Sequence, residues 1–410
     1  MSGKTAVVIG AGIVGVSVAL WIQRRGHRVI LLDRGEPGMG TSYGNACIIA
    51  NYGCIPINSP ALFTALPSLL WSRESPLRLD PFHALRHPGW MLDFLRNCTP
   101  ARVDRTVRAL SALLSRTSDG LDPLVGDAGA ESLIRRDGSI YAYATRRAYE
   151  DAVPSNRRRA EEGAVFDTID GRELRDLEPA IDMDFYRALR FTDAQQVANP
   201  KTLVDRYMEH FSVRGGVFRR ACVRMVEPDP GVILDDGERI PADTVVVSAG
   251  AYSRTIAGAG TRRLPLNVER GYHVQFPGRQ SLLGRPVAWA ERGFYATPTT
   301  AGLRFAGTVE IAALDKPPSP ARIEYLTRNA KRMFGLEEDP AQSWLGFRPT
   351  FPDALPVIGP SPVSPDILLA FGHHHLGLTL SGITGMLISE IMEGRRPSLD
   401  ITPYSVGRFS

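Results

Sequence analysis

Lysine is nearly missing from this chain: Lys4, Lys201, Lys316 and Lys331 are four among 48 basic residues, the other 44 being arginine. The arginines are interleaved with acids, as in Arg135-Arg136-Asp137 and in Arg157-Arg158-Arg159 ahead of Glu161-Glu162, and the net charge is only +4. With no basic stripe carrying aromatics, nucleic-acid binding is not expected. A weak pull on anionic substrates or on a lipid surface is all that such a charge supports. Cysteine is scarce too. Cys47, Cys54, Cys98 and Cys222 form no CxxC pair, which argues against a zinc ribbon or an iron–sulfur cluster held by this chain. Scattered thiols suit a reducing cytoplasm. Long apolar runs are lacking as well. The stretch from Ala6 to Ile22 behind Lys4 is broken by three glycines and reaches Arg24-Arg25 without a small-residue cleavage site, so it does not read as an export signal. No other stretch is continuously apolar for the ~18 residues of a membrane span. There is no repeat at a solenoid period and no low-complexity tail. A chain of 410 residues, 43% hydrophobic and 22% charged, is then an ordinary globular protein of two domains.

What is present begins at once. Val7-Val8-Ile9-Gly10-Ala11-Gly12-Ile13-Val14-Gly15 reads as a short apolar strand, a tight turn and a helix start. Gly10 permits the turn, Gly12 lets the backbone approach a pyrophosphate, and Gly15 lets the helix pack on the strand. Amides at the helix start, Ile13 and Val14 among them, then meet phosphate charge with help from the dipole. Asp33 closes the second β-rich run, Val29-Ile30-Leu31-Leu32, about where a ribose hydroxyl would sit.

Gly35 to Ala46 is dense in turn formers and reads as a loop. Residues 60–130 carry helical patterns, with Val107, Leu110, Leu113 and Leu114 on one face, separated by Pro56, Pro60, Pro67, Pro76, Pro81 and Pro88. Ile140 to Ala144 reads as a strand. Asn199 caps a helix opened by Pro200 and running from Lys201 to Phe211. Strands are expected over Val217–Val226, Gly231–Asp235 and Ile240–Val247, the last entering a small-residue turn and a helix from Ser248. Period-two segments at Asn267–Phe276, Gly293–Thr297 and Leu303–Glu310 predict an antiparallel sheet. The chain closes with a strand over 366–372 and a helix from Gly382 to Gly394. Nucleotide-type segments at the start, middle and end, with sheet-rich material between, predict an α/β fold. It combines a discontinuous Rossmann-like domain (1–80, 195–262 and 345–410) with an inserted α+β substrate domain on an antiparallel sheet (81–194 and 263–344).

Read in order, GAGIVG with Asp33, the TSYGNA loop, VVVSAGAYS, Gly346-Phe347-Arg348-Pro349 with Pro352-Asp353 and Pro356-Val357-Ile358-Gly359, and Gly372-His373-His374-His375-Leu376-Gly377-Leu378-Thr379-Leu380 resemble the FAD-dependent D-amino-acid oxidase/dehydrogenase superfamily. The resemblance is strongest to bacterial D-amino-acid dehydrogenases, and Arg96-Asn97-Cys98 after Trp90-Met91-Leu92 shares it. It spans nearly the whole chain. It implies FAD, bound non-covalently, with Gly10, Gly12 and Gly15 at the pyrophosphate and Asp33 with Arg34 at the adenosine ribose. The family usually places Glu at the Asp33 position; the shorter acid can still accept a ribose hydroxyl. Thr41, Ser42, Asn45 and Ala46 would cover phosphate and flavin edge, and Val223, Ala249 and Gly250 would line the adenine pocket. Leu376, Gly377, Leu378 and Thr379 would turn amides to the flavin ring. Cys47 falls near the ring by sequence, though the family pattern gives no support for a covalent bond there.

The implied reaction moves a hydride from Cα of a D-amino acid to flavin N5, and the imino acid then hydrolyses to a 2-oxo acid and ammonia. Arg348 offers a bidentate fork for the substrate carboxylate, the competing expectation being a surface pair with Asp353. Tyr272 and, more weakly, Tyr295 would join it at the substrate. Of three consecutive histidines at most two could meet one ion, and no third ligand is signalled nearby, so His374 or His375 is expected to face flavin or substrate as a polar contact that influences the amine's protonation. The implied partners are the amino acid and an electron acceptor such as a quinone or a partner protein, in the cytoplasm or peripherally on the inner membrane face. Alternatives are an enzyme of cyclic or secondary amino acids (D-proline, D-hydroxyproline, the sarcosine/glycine type), the FAD subunit of a heteromeric complex, and a nicotinamide dehydrogenase. The return of the chain's end to the nucleotide site argues against the last.

Overall fold

The computed structural model describes residues 3–58, 60 and 75–409; Pro67 and the first helical pattern beyond residue 60 lie outside them. Six strands form one sheet in the order Val217–Arg220, Arg28–Asp33, Thr5–Ile9, Thr244–Val247, Ile367–Phe371 and Val357–Pro360. All neighbours run parallel except the last pair. Parallel strands are covered on both faces and so read as continuous apolar runs. Here alternate residues divide cleanly between two cores. Ala6, Val8, Leu31, Val246 and Leu368 join helices Ile13–Arg24, Pro200–Val213 and Gly377–Met392. Val7, Ile9, Leu32, Val245, Val247 and Leu369 face a small three-stranded meander that includes Val226, Val232 and Ile240.

Among the described residues the second large sheet has nine strands and begins at one edge with an antiparallel run, Gln342–Thr350, Asn267–Phe276, Gly302–Ile311 and Phe294–Thr299 in that order, the last three being the expected strands. Helix Pro320–Phe334 covers its far face, where Tyr325, Leu326, Ala330 and Met333 meet Val274, Phe276 and Phe305. A third core is thus built wholly from the second half of the fold.

Several expected bounds move. The run 217–226 is two strands, Val217–Arg220 and Val223–Glu227, that turn into different sheets, and 240–247 divides the same way at Asp243. After Val247 comes a six-residue 3-10 turn, Gly250–Thr255, rather than a helix. The last helix begins at Gly377, five residues before Gly382. The 374–392 stretch also meets the length and hydropathy criteria of a membrane span, but 83% of it is buried inside the fold. It is a core helix, packed against Ile13–Arg24. Helices Pro100–Leu114 and Thr117–Asp127, expected in the substrate domain, put Val107, Leu110, Leu113, Leu121 and Leu124 into the core around this helix. Their apolar face is buried with the parallel sheet, so packing groups residues 100–127 with the first and last segments of the chain.

Candidate functional site

Strands Thr5–Ile9, Arg28–Asp33, Thr244–Val247 and Ile367–Phe371 end together, and a cavity of about 460 Å³ opens at their carboxyl ends. Open parallel sheets place ligands there, where strand order reverses. The floor is the glycine turn. Gly10 sits at φ +106°, and a Cβ on it would lie 2.5 Å from the Ser248 carbonyl oxygen. A Cβ on Gly15 would lie 1.8 Å from the Gly10 carbonyl oxygen, so Gly15 serves helix–strand packing and is not itself part of the cavity wall. Gly12 differs. Only Ser42 Oγ lies within 4 Å of a Cβ placed there, which leaves backbone facing open space at the helix start. No side chain of Gly12 caps that helix, and Ser42 Oγ accepts the Ile13 amide at 2.9 Å.

Asp33 lines the cavity together with Arg34. Its Oδ2 accepts the Ala11 amide at 2.7 Å and its Oδ1 the Gly35 amide at 2.8 Å. Each oxygen keeps a lone pair for a hydroxyl. The Arg34 guanidinium stacks on Tyr252, 3.7 Å from the ring centroid, beside Ala221, Cys222, Val223, Ala249 and Gly250.

The opposite wall belongs to the second sheet. It holds the 41–46 loop by its carbonyls: Arg304 Nη1 donates to Tyr43 O (3.0 Å) and Asn45 O (3.2 Å), His273 Nδ1 to Gly44 O (3.1 Å), and Thr297 Oγ1 to Ala46 O (3.0 Å). Thr41 Oγ1 donates to Phe347 O at 2.8 Å. Thr41, Ser42 and Asn45 thereby reach the cavity, whereas Ala46 does not. Trp344, which the sequence reading passed over, also lines it; its indole is wedged against Gly44 and Gly346 and stacks on His273.

Arg348 is in the wall, half-buried, with no ion pair among the described residues. Asp353, its expected surface partner, instead pairs with Arg408 at 2.7 Å. Arg348 lies directly across from Glu269 in the strand register and donates from Nη1 to Thr308 O at 2.8 Å. That carbonyl is aimed by a bulge: the register slips between Arg270 and Tyr272, and Thr308 adopts φ +57°. Burial lowers the pKa of Arg348 and the Glu269 carboxylate offsets part of that.

The three histidines separate. His373 is buried, donates or accepts at Thr384 Oγ1 (2.9 Å), and is pushed down to about 3 by burial. His374 sits at φ +56°, buried, with Nε2 2.7 Å from Glu269 Oε1 and Nδ1 bonded to Nδ1 of His375. His375 is open to the cavity. Enclosure by the cavity walls, then His374 and Arg348, hold its pKa well below the usual imidazole value.

Three other expected site residues, Tyr272, Tyr295 and Cys47, lie off the cavity. Tyr272 is in the second core, its hydroxyl 2.5 Å from Glu310 Oε2 in a network with buried Arg270, and burial lifts its pKa to about 12. Tyr295 donates to or accepts from Tyr52 Oη at 2.9 Å, away from the cavity. Cys47 is fully buried off the cavity at φ +63°, its thiol 3.5 Å from Arg304 Nη1 and its pKa raised by burial. Of the four residues expected to turn amides to the flavin ring, Gly377 and Leu378 line the cavity, Leu376 packs in the core with its amide on His373 O at 2.9 Å, and Thr379 Oγ1 accepts the Ala50 amide. No cluster of metal-ligating side chains occurs among the described residues.

The model of the family described as DAO, FAD dependent oxidoreductase, matches residues 5–391. The chain is 33% identical over 419 residues to a D-amino-acid oxidase of Bradyrhizobium diazoefficiens, covering 99% of each. It is 26% identical over 411 residues to D-amino acid dehydrogenase 2 of Mesorhizobium japonicum, covering 96% of this chain and 97% of that one. The fold matches the crystal structure of glycine oxidase from Geobacillus kaustophilus with a TM-score of 0.74 at 20% identity, over 98% of both chains. The open backbone at Gly12, the helix start beside it and the lone pairs left on Asp33 fit the diphosphate and ribose of FAD.

Proposed function

This chain belongs to the DAO family of FAD-dependent oxidoreductases, and from that membership we propose that it oxidises D-amino acids to imino acids, which hydrolyse to 2-oxo acids and ammonia. When bound, FAD supplies the two-electron acceptor for the Cα hydride. The residues of this chain do the rest. Gly10, Gly12 and the Val14 amide would hold the diphosphate, the Ile13 amide being taken by Ser42 Oγ, and Asp33 would hold the ribose. Arg34, Val223, Ala249 and Gly250 enclose the adenine end. Thr41, Ser42 and Asn45, with Gly377 and Leu378, border the ring. Arg348 grips the substrate carboxylate with its fork, fixing Cα against the ring.

The observation that carries this reading is Arg348: a cation in the cavity wall, held by the Thr308 carbonyl, with no carboxylate of this chain within ion-pair distance among the described residues. A cation desolvated without a counter-ion is costly, and an incoming carboxylate removes that cost. Electrons leave, in this proposal, to a quinone or a partner protein, as in a dehydrogenase. The test is anaerobic mixing of the FAD-loaded protein with a panel of D- and L-amino acids, glycine, sarcosine and D-proline, followed by reoxidation with oxygen or a soluble quinone. Bleaching of the flavin by D-isomers supports the proposal; bleaching confined to L-isomers or glycine sinks it.

A further inference from the structure

Resting on that reading, we propose that Glu269, His374 and His375 form a proton relay that removes the ammonium proton of the amino-acid substrate, with Nε2 of His375 as the accepting atom. The chain of contacts is continuous. Glu269 Oε1 is 2.7 Å from His374 Nε2; His374 Nδ1 and His375 Nδ1 share a hydrogen bond; His375 opens on the cavity beside Arg348.

The tautomers follow from that order. A carboxylate accepts, so His374 carries its proton on Nε2; His374 Nδ1 then accepts the Nδ1 proton of His375, and the lone pair of His375 is left on Nε2. A substrate whose carboxylate sits on Arg348 carries its α-amine next to that wall. The ammonium gives one proton to His375 Nε2, and His375 passes its Nδ1 proton to His374 Nδ1. His374 becomes an imidazolium paired with Glu269. The amine is now neutral, and its lone pair forms the C=N bond as the Cα–H bond breaks and hydride leaves with both electrons to FAD. One proton and one hydride are lost, and the product is the protonated imino acid.

Two features indicate that the arrangement is built for this. Glu269 is almost fully buried, and its second oxygen, Oε2, has no hydrogen-bond partner, so the carboxylate is under-compensated until His374 gains charge. His374 also holds a left-handed backbone conformation, φ +56°, which a non-glycine residue keeps only where its surroundings over-determine it. The charged and titratable groups facing the relay are Glu269 from strand Asn267–Phe276, Arg348 from strand Gln342–Thr350 and His373 on the same turn. The first turn of helix Gly377–Met392 contributes none. Enclosure by the cavity walls, then His374 and Arg348, keep His375 neutral with its Nε2 lone pair free, while Glu269 draws the positive charge one residue deeper.

Stopped-flow flavin reduction across pH, with whichever amino acid bleaches the FAD-loaded wild type, is the test. His374→Gly keeps the left-handed backbone, and His375→Gln and Glu269→Gln conserve shape. In H374G and H375Q the rate near neutrality should fall about 10²-fold and recover as pH approaches the free amine's own pKa, since only pre-neutralised substrate reacts. E269Q should lower the plateau and move the acid limb to lower pH, because the imidazolium loses its counter-charge. Histidine ¹⁵N NMR of the FAD-loaded wild type saturated with an α-methyl amino acid, which has no Cα–H to lose, should show one imidazole becoming protonated on binding. Profiles of H375Q superimposable on wild type, or imidazoles that stay neutral in the saturated complex, overturn the relay while flavin bleaching still stands; no bleaching by any amino acid overturns the functional reading instead.

Discussion

The guanidinium of Arg348 lies flat across Gly271 on the neighbouring strand: a Cβ at position 271 would sit 2.3 Å from Nη2 and 2.4 Å from Cζ. Gly271 is therefore the seat of the side chain assigned to the substrate carboxylate. Gly271→Ala should push the guanidinium off the Thr308 carbonyl without removing its charge. Because the obstructing atoms are the far end of a flexible side chain, the fold should tolerate it. We expect KM to rise about tenfold, with flavin content and melting temperature near wild type, as read by steady-state kinetics and thermal melts.

Arg348→Ala removes the fork itself. A charge-assisted, bidentate contact contributes about 1.5–3 kcal/mol, so KM for the amino acid should rise about 10- to 100-fold. The absorption spectrum of the bound flavin should be retained. An unchanged KM would place the carboxylate elsewhere.

Gly12 and Gly15 are both glycines of one motif, yet their substitutions should part. Gly15→Ala drives a Cβ into backbone at Gly10; the gain in helix propensity, up to about 1 kcal/mol, is outweighed by overpacking of about 1–3 kcal/mol. Its apoprotein should melt lower. Gly12→Ala meets only Ser42 Oγ, at an ordinary contact distance of 3.4 Å, and should leave the apoprotein melt unchanged while the purified protein loses flavin. Equal losses of apoprotein stability would contradict this division.

Acid should destabilise the fold through His273 and His373, both pushed down to about 3 with burial as the main cause and, at His273, the charge of Arg304 adding to it. A histidine whose folded pKa is depressed contributes its full stability above the unfolded value, about 6.5. That stability is lost as pH falls from there toward 3, because the unfolded chain binds the extra protons. Lowering pH to 5.5 should cost about 1.4 kcal/mol for each. Urea melts of wild type and His373→Gln at neutral pH and at pH 5.5 should show a smaller acid loss in the variant.

The glycine turn, Asp33, the antiparallel run and the recurrence of the nucleotide site at the chain's end were legible because local chemistry dictates them: turns demand glycine, buried strands demand apolar runs. Arg348 was legible for its fork. Glu269 was not, since a carboxylate in the middle of an otherwise ordinary strand acquires meaning only from its cross-strand neighbour and from a turn about a hundred residues later. Trp344 and Arg304 escaped for the same reason: the glycines and the His273 ring that seat the indole, and the loop carbonyls that take the guanidinium, are neighbours that sequence does not display. Tyr272 and Tyr295 were misplaced because a tyrosine one position along a strand changes face, and the bulge at Thr308 alters that face locally. Residues 100–127 were grouped with the wrong half because helical periodicity announces a buried face without naming what it is buried against.

The carbonyls of Tyr43, Gly44, Asn45 and Ala46 are all spoken for by Arg304, His273 and Thr297 of the later sheet. The roof over the coenzyme is thus on loan from the other half of the molecule. An excised amino-terminal fragment would retain the glycine turn and Asp33 yet lack the rafters above them. Evolutionary change in the sheet proposed to bind the substrate is accordingly constrained by a second duty, keeping that roof in place.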